Sequence, residues 1–323
     1  MLQPKYSVIV PVYNRPAEVD ELLTSLTHQT FTDFEVIIVE DGSTITSEAI
    51  CSSYAAKLTI RYFIKPNSGP GPSRNFGYQH ASGQYFVVFD SDCIIPKFYF
   101  DKVEIALREK SFDAWGGPDR ASAAFSLLQQ AMGYTMSSFF TTGGIRGGTE
   151  IAGKFQPRSF NMGISRAVFE QTGGFKFDRF AEDIEFSIRM RKMNFNAVLI
   201  PDAFVYHKRR STLKQFFWQV FNFGRGRVLV GKVYPGEIKV THWFPAVFLL
   251  GLISIPVVAV FHKPLSLLMI WCYLIYFLAI AVDSLIKNRS IWVAALSIPS
   301  SMVQLAGYGL GFMKEKIQGT HKK

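Results

Sequence analysis

Four short runs, YSVIVPVY (6–13), FEVIIVE (34–40), LTIRYFI (58–64) and QYFVVFD (84–90), carry apolar residues on both faces of an extended chain. A strand of that kind has to be covered on both sides, which a sheet achieves when helices pack on each face. The intervening segments supply those helices. Residues 16–29 place Leu22, Leu23 and Leu26 on one helical face, and weaker helical patterns follow near 47–57 and 72–80. Strands alternating with helices imply right-handed crossovers and a mostly parallel sheet, so the fold class is α/β. The first run is interrupted by Pro11 and followed by Asn14-Arg15, with no small-residue cleavage site. It reads as a buried strand and not as a signal peptide.

Beyond Pro96 the pattern loosens. A helix is expected at 97–110 and a short apolar piece at 113–116, then a mixed stretch to Gly148 with the pairs Gly116-Gly117, Gly143-Gly144 and Gly147-Gly148. Glycine pairs in a long segment predict a loop-rich substrate region. Order returns with SFNMGIS (159–165), a helix over 182–193 and a single strand AVLIPDAFVYH (197–207). No internal repeat or low-complexity tract is present.

The formal net charge of +10 is unevenly placed. Residues 1–203 carry 20 Lys and Arg against 22 Asp and Glu, whereas 204–323 carry 15 against 3. Positive charge confined to the most apolar third points to a membrane surface and excludes a nucleic-acid partner. Between 204 and 240, Lys208, Arg209, Arg210, Lys214, Arg225, Arg227, Lys232 and Lys239 alternate with Phe216, Phe217, Trp218, Val220, Phe221 and Phe223. That pattern fits a helix lying in the membrane interface. Three apolar stretches follow, 243–261, 265–286 (with Asp283) and 291–313, each near the roughly 20 residues a bilayer span needs. The expected organisation is 1–207, a catalytic α/β domain; 208–241, a basic amphipathic interfacial region; and 242–323, membrane-embedded helices. Cys51, Cys93 and Cys272 lie too far apart for a disulfide framework or a zinc spacing, which suits a reducing compartment.

Three acidic groups end predicted elements. Glu40-Asp41-Gly42-Ser43 closes the second strand, where Asp41 either makes an Asp-Gly turn or accepts hydrogen bonds from a nucleoside. Asp90-Ser91-Asp92 closes the fourth. Residues i and i+2 of an extended chain point the same way, so both carboxylates are expected to reach one hard cation and a sugar-nucleotide. Asp183 opens a helix after Glu182, either as an acid favoured by the helix dipole or as a general base.

In order along the chain, SVIVPVYN, VIIVEDGST, NSGPGPSRNFGYQHASGQYFVVFDSD and FAEDIEFSIRM resemble the family 2 glycosyltransferases of the GT-A fold, over about residues 5–207. The resemblance implies a nucleotide-sugar donor, with a UDP-sugar expected, a divalent ion (Mg2+ or Mn2+) and inversion at the anomeric carbon. It places Pro11, Tyr13 and Asp41 on the nucleoside, Arg74 near the base or diphosphate, Asp90 at the ribose and Asp92 on the metal. Asp183 becomes the catalytic base with Glu182 beside it, and His207 either joins the metal shell or is a surface histidine by a basic run. Arg158, Asn161 and Gly163 fall where the family lines its sugar and acceptor pocket. Glu40 stands where the family has Asp, and Cys93 where it often has a further Asp, which predicts a leaner metal site. The C-terminal part is similar to bacterial membrane-attached exopolysaccharide glycosyltransferases. That implies a membrane-linked acceptor, such as a polyprenyl diphosphate, and a catalytic domain facing the cytosol at the inner membrane.

Two other functions compete: a processive polysaccharide synthase and a non-catalytic sugar-nucleotide-binding scaffold. Against the first, the Gln-x-x-Arg-Trp motif of processive synthases is replaced by Gln219-Val220-Phe221-Asn222-Phe223. Asn lacks the guanidinium fork and Phe the indole donor. Against the second, a scaffold has no need of Asp90, Asp92 and Asp183. The Lys287-Asn288-Arg289 loop and the basic tail through Lys322-Lys323 both favour one side of the membrane. Two crossings satisfy them, with 291–313 expected to break at Pro299-Ser300-Ser301.

Overall fold

A computed structural model describes residues 3–120, 125–143, 155–208 and 210–320. Gly144, Gly147, Gly148, Arg209 and Lys322-Lys323, invoked above, lie outside the described residues. The chain divides into two compact units, Met1–Ser122 with Glu150–Lys208, and Ala123–Thr149 with Arg209–Lys323.

The first unit opens with β1 (Tyr6–Val12), α1 (Pro16–Thr27), β2 (Phe34–Asp41), α2 (Glu48–Ser53), β3 (Ile60–Lys65), α3 (Pro70–His80) and β4 (Tyr85–Phe89). Then come β5 (Cys93–Ile94), α4 (Tyr99–Glu109), β6 (Ala114–Gly116) and β7 (Asp119–Arg120). The second unit contributes α5 (Leu127–Ser137) and α6 (Phe139–Thr142) before the chain returns to the first through β8 (Asn161–Ser165), α7 (Arg166–Thr172), α8 (Glu182–Lys192), β9 (Ala197–Leu199) and β10 (Val205–His207).

Seven strands form one sheet in the order β3-β2-β1-β4-β8-β6-β9. Its members run parallel except β8, which is antiparallel to both β4 and β6. Strand alternation divides the core. Val8, Val10 and Val12 join Leu22, Leu26, Phe100 and Trp115 on one face. Ile9, Ile37 and Val39 join Tyr78, Phe86, Ile164 and Phe186 on the other. Each such fully buried aliphatic side chain contributes about 1.5–3 kcal/mol, which is why the runs apolar on both faces become strands here.

Two expectations need correction. The run 197–207 is not one strand, because Pro201-Asp202 turns the chain: β9 pairs with β6 in the large sheet and β10 with β5 and β7 in a separate three-stranded one. The fourth strand ends at Phe89, and Asp90-Ser91-Asp92 is a turn closed by the Cys93 N–H donating to the Asp90 carbonyl at 3.1 Å. The two carboxylates meet different partners, Asp90 with Arg74 and Asp92 with Arg15 and His207.

The second unit is helical: α5, α6, α9 (Leu213–Val233), α10 (Phe244–Phe261), α11 (Lys263–Asn288) and α12 (Ile291–Thr320). The helices α5 and α6 lie where loops were expected. Ser126 caps α5 by accepting from the Gln129 N–H, and Met132 on its buried side packs with Phe216 and Val220 of α9. The last three helices are long and apolar enough to cross a membrane. No break occurs at Pro299: α12 is continuous, because proline removes a single N–H while neighbouring contacts such as Ser284 to Ser297 (2.8 Å) hold the helix in register.

Candidate active site at the carboxyl ends of the strands

In an open parallel sheet, ligands bind where strands hand over to helices. Here β1 ends before Tyr13, which is 54% exposed, while Pro11 is half-buried within the strand. Asn14 adopts a left-handed conformation (φ 53°), and its side-chain oxygen accepts from the backbone N–H groups of Thr44 and Ile45. That pins the turn after β2 beside the turn after β1.

Asp41, the last residue of β2, is buried. Its carboxylate accepts from Lys65 Nζ at 2.5 Å and from the Ser68 and Gly69 N–H groups at 2.8 Å each. Burial opposes its charge, but these donors outweigh burial and hold the carboxyl below its usual range. Glu40, next to it, accepts from Ser43 Oγ, the Ser47 N–H and Tyr62 OH, so the longer acid is absorbed by its own turn.

Arg74 on α3 is fully buried. Nη2 donates to Asp90 Oδ1 and Nη1 to Glu182 Oε1, both at 2.8 Å, and Nε has no partner. It can reach α8 because Gly71 lets α3 approach the preceding loop: a Cβ there would lie 2.1 Å from the Phe177 carbonyl oxygen. Glu182 is pushed up to about 7 by burial; the Asp183 charge adds to this and the Arg74 charge opposes it. The residue before it, Ala181, is held left-handed (φ 56°), a conformation that costs a non-glycine residue free energy. Asp183 turns the other way from Glu182. It retains exposure, accepts from its neighbour Ile184 N–H at 2.8 Å and has Arg158 Nη1 at 3.6 Å. Of the two acids, Asp183 is the more exposed.

The small sheet delivers His207 to Asp92. His207 lies opposite Cys93 in the β10–β5 register, and its Nε2 is 3.1 Å from Asp92 Oδ1. Arg15 holds the other oxygen of Asp92. Burial works against the Asp92 charge, yet His207 and Arg15 prevail and keep the carboxyl well below its usual range.

Ligand atoms of Asp92, Cys93 and His207 all lie within 4.8 Å of one another. A carboxylate with an imidazole suits a divalent ion such as Mn2+. Cys93 fits less well: burial, with the Asp90 and Asp92 charges, pushes its thiol far above the usual range, and its Sγ lies 3.5 Å from the Phe160 carbonyl oxygen. Of the three, Asp92 and His207 have the donor chemistry that could hold such an ion.

Two expected pocket residues belong to the frame. Asn161 is fully buried, accepting from Tyr99 OH at 2.6 Å and donating to the Ala203 carbonyl at 2.8 Å. Gly163 lies under Trp115, whose ring would be 2.0 Å from an added Cβ. Sequence reasoning passed over Arg15 and Lys65. Both follow from topology, since β1 neighbours β4 and Lys65 is the register partner of Asp41 on β3.

The sequence profile of glycosyl transferase family 2 matches residues 7–221. The chain belongs to that family. An uncharacterized glycosyltransferase of Rickettsia felis is 43% identical over 104 residues, which cover 32% of this chain and 17% of that protein. The poly(ribitol-phosphate) β-N-acetylglucosaminyltransferase TarS of Staphylococcus aureus is 42% identical over 97 residues, 29% of this chain and 17% of TarS. The family 2 chain thus matches only a small part of these longer relatives. Among solved structures, the mannosyltransferase PcManGT of Pyrobaculum calidifontis, in complex with GDP-Man and Mn2+, superposes with a TM-score of 0.61 at 17% identity, covering 98% of this chain and 88% of that one. At that identity the likeness establishes the fold, GT-A with its mostly parallel sheet.

Proposed function

We propose that this family 2 chain transfers a sugar, with inversion, from a nucleotide-sugar to a membrane-associated acceptor in cell-surface polysaccharide or glycolipid synthesis. The observation that carries this reading is the pair of charge clusters at the carboxyl ends of the strands. Arg74 ties the Asp90 turn to the start of α8, and Asp92 lies between Arg15 and His207. The donor class is supported by TarS, one solved form of which contains UDP (TM-score 0.50, 21% identity, covering 98% of this chain and 92% of that one). A UDP-sugar is the expected donor.

Tyr13, Asp41 and the turn fixed by Asn14 would bound the nucleoside. Asp92 and His207 would hold the divalent ion, which when bound neutralises charge on the diphosphate leaving group. Asp183 would take the acceptor hydroxyl proton as that oxygen attacks opposite the departing nucleotide. Glu182, fixed by Arg74, would set the start of α8 and so the position of Asp183.

The acceptor side is read from the second unit. Apolar helices beside a basic aromatic helix suit a lipid-linked acceptor, and a bacterial inner membrane with the catalytic residues on the cytosolic side is the setting proposed. Phe223 for Trp and Asn222 for Arg leave an apolar platform without the fork that retains a growing chain, which favours single addition over processive synthesis. Purified full-length protein with a nucleotide-sugar panel, Mn2+ or Mg2+ and a polyprenyl-linked acceptor should give a product of one defined mass increment. A ladder of long products that persists with excess acceptor trap would contradict single addition. Donor hydrolysis and transfer both absent across the panel would contradict the enzyme reading.

A further inference from the structure

The three long helices of the second unit are not equivalent. We propose that only α10 and α11 cross the bilayer, as a hairpin, and that α12 lies in the membrane interface with α9 and α5, so that the chain enters and leaves the membrane on one face. This rests on the membrane attachment proposed above and adds its topology.

The observations concern what covers each helix. Of the most apolar stretch, 22% is buried in α10 and 11% in α11, but 44% in α12. The α10 residues Val247, Leu250, Ile253, Val257, Val260 and Phe261 are exposed at helical spacing, as a lipid-facing side requires. From Ser300 to Met313, the only large apolar side chain of α12 exposed among the described residues is Leu310.

The helix that covers α12 decides its depth. Gly224 of α9 lies against the backbone of Tyr308 and Phe312; Gly307 lies against Phe217 and Val220, and Gly311 against Phe221. Farther along, Glu315 accepts from Arg225 Nε at 3.1 Å and Lys232 Nζ at 2.8 Å. The two helices therefore share one depth over Gly307–Glu315. On α9, Lys214, Gln215, Trp218 and Lys232 are exposed, and Gln219, Asn222, Arg225 and Arg227 are half-buried. A bilayer core does not accommodate such a helix, whereas Lys and Trp on one side suit the headgroup level. If α12 crossed, it would carry this face of α9 into hydrocarbon.

The other end of α12 gives the same depth. It starts just after the polar end of α11, where Asp283 is bonded to Tyr134 OH of α5 (2.6 Å) and Lys287 (3.0 Å). The buried side of α12 mixes Ser297, Ser300, Ser301 and Gln304 with Val293, Leu305 and Phe312, more polar than a bilayer span requires. By contrast α10 has 18 residues and no charge. At about 1.5 Å per residue it spans roughly 27 Å, close to the thickness of the hydrocarbon layer. Its turn into α11, His262-Lys263, is polar and marks the tip that emerges on the far side.

The test is accessibility of single added cysteines in the full-length protein in sealed, oriented vesicles, using a membrane-impermeant maleimide. Gly236→Cys marks the segment after α9, with open space around the added atom. Lys263→Cys, with His262→Cys as a second probe, marks the tip, and Gln318→Cys marks the end of α12. Cys272→Ser is the blank and the background for each probe, since Cys272 is exposed on α11 while Cys51 and Cys93 are buried. Labelling of 236 and 318 from one face and of the tip from the other is the expected result. Labelling of 318 from the tip's face means three crossings and overturns the proposal. Labelling of all three from one face, in protein that resists alkaline carbonate, means no crossing and overturns it equally. Release by carbonate removes the membrane reading itself. A chain inactive in transfer assays would leave the labelling pattern unaffected.

Discussion

The two ends of the large sheet bury the same kind of residue in different company. At the amino ends, Glu35 accepts from Ser7 Oγ (2.6 Å), the Ser82 N–H (2.7 Å) and Ser82 Oγ (2.5 Å), with Arg61 at 3.5 Å. Glu104 accepts from Tyr6 OH (2.5 Å) and Lys5 (2.7 Å). These acids are saturated mainly by hydroxyls and backbone. At the carboxyl ends Glu40 is likewise held by neutral donors. The other acids there meet cations: Arg15 and His207 for Asp92, Arg74 for Asp90 and Glu182, and Lys65, with two backbone N–H groups, for Asp41. A neutral donor stabilises one buried acid and has nothing further to give. A cation that joins two acids, as Arg74 does, ties two elements together, and its buried Nε is left without a partner. If the proposed function holds, the amino end serves stability and the carboxyl end the ligand, and each half of that comparison can be broken separately.

Breaking the carboxyl end should have the largest effect. Asp92→Asn should abolish transfer and remove the metal dependence of nucleotide binding, both readable in one metal titration. More than a tenth of wild-type activity at saturating metal would take Asp92 out of the metal site.

Glu182 gives a smaller, pH-dependent effect. Its carboxyl is raised from 4.5 to about 7, so its contribution to stability is fully present below about pH 4.5 and is lost as pH rises through about 7. The stake is at most about 3 kcal/mol. The melting temperature of the wild type should therefore fall relative to Glu182→Gln between about pH 5 and pH 8. Parallel curves for the two proteins would contradict the assignment.

The smallest functional effect is expected at the amino end. Glu35→Gln removes a charged acceptor from three donors and should cost about 1–3 kcal/mol of stability while turnover stays within about twofold. Burial opposes the Glu35 charge, but the Ser7 and Ser82 bonds outweigh it and lower its carboxyl, so this loss should shrink as pH falls. A large drop in turnover at unchanged melting temperature would erase the distinction between the two ends.

Much of the first unit is legible in the sequence, because burial on both faces leaves no alternative for β1, β2 and β4, and their ends mark the site. The missing parts share a cause. Arg15 acquires meaning only when β1 and β4 become neighbours, and the choice between the two readings of His207 needs the second sheet into which Pro201-Asp202 diverts the chain. Asn161 and Gly163 look like pocket residues by position, but Tyr99 and Trp115, distant in sequence, claim them for the frame. Glycine pairs suggest loops over 116–148, yet the capped α5 forms because α9 and α12 cover its apolar side. Pro299 predicts a break by local rules that packing overrides.

The central claim is that Asp183 acts on the acceptor and not on the donor. Calorimetry of donor binding together with steady-state transfer, on wild type and Asp183→Asn, tests it directly. The account predicts donor affinity within about twofold of wild type and turnover lower by roughly 10²–10⁴-fold, the range for loss of a general base. A loss of donor affinity as large as the loss of rate would contradict it.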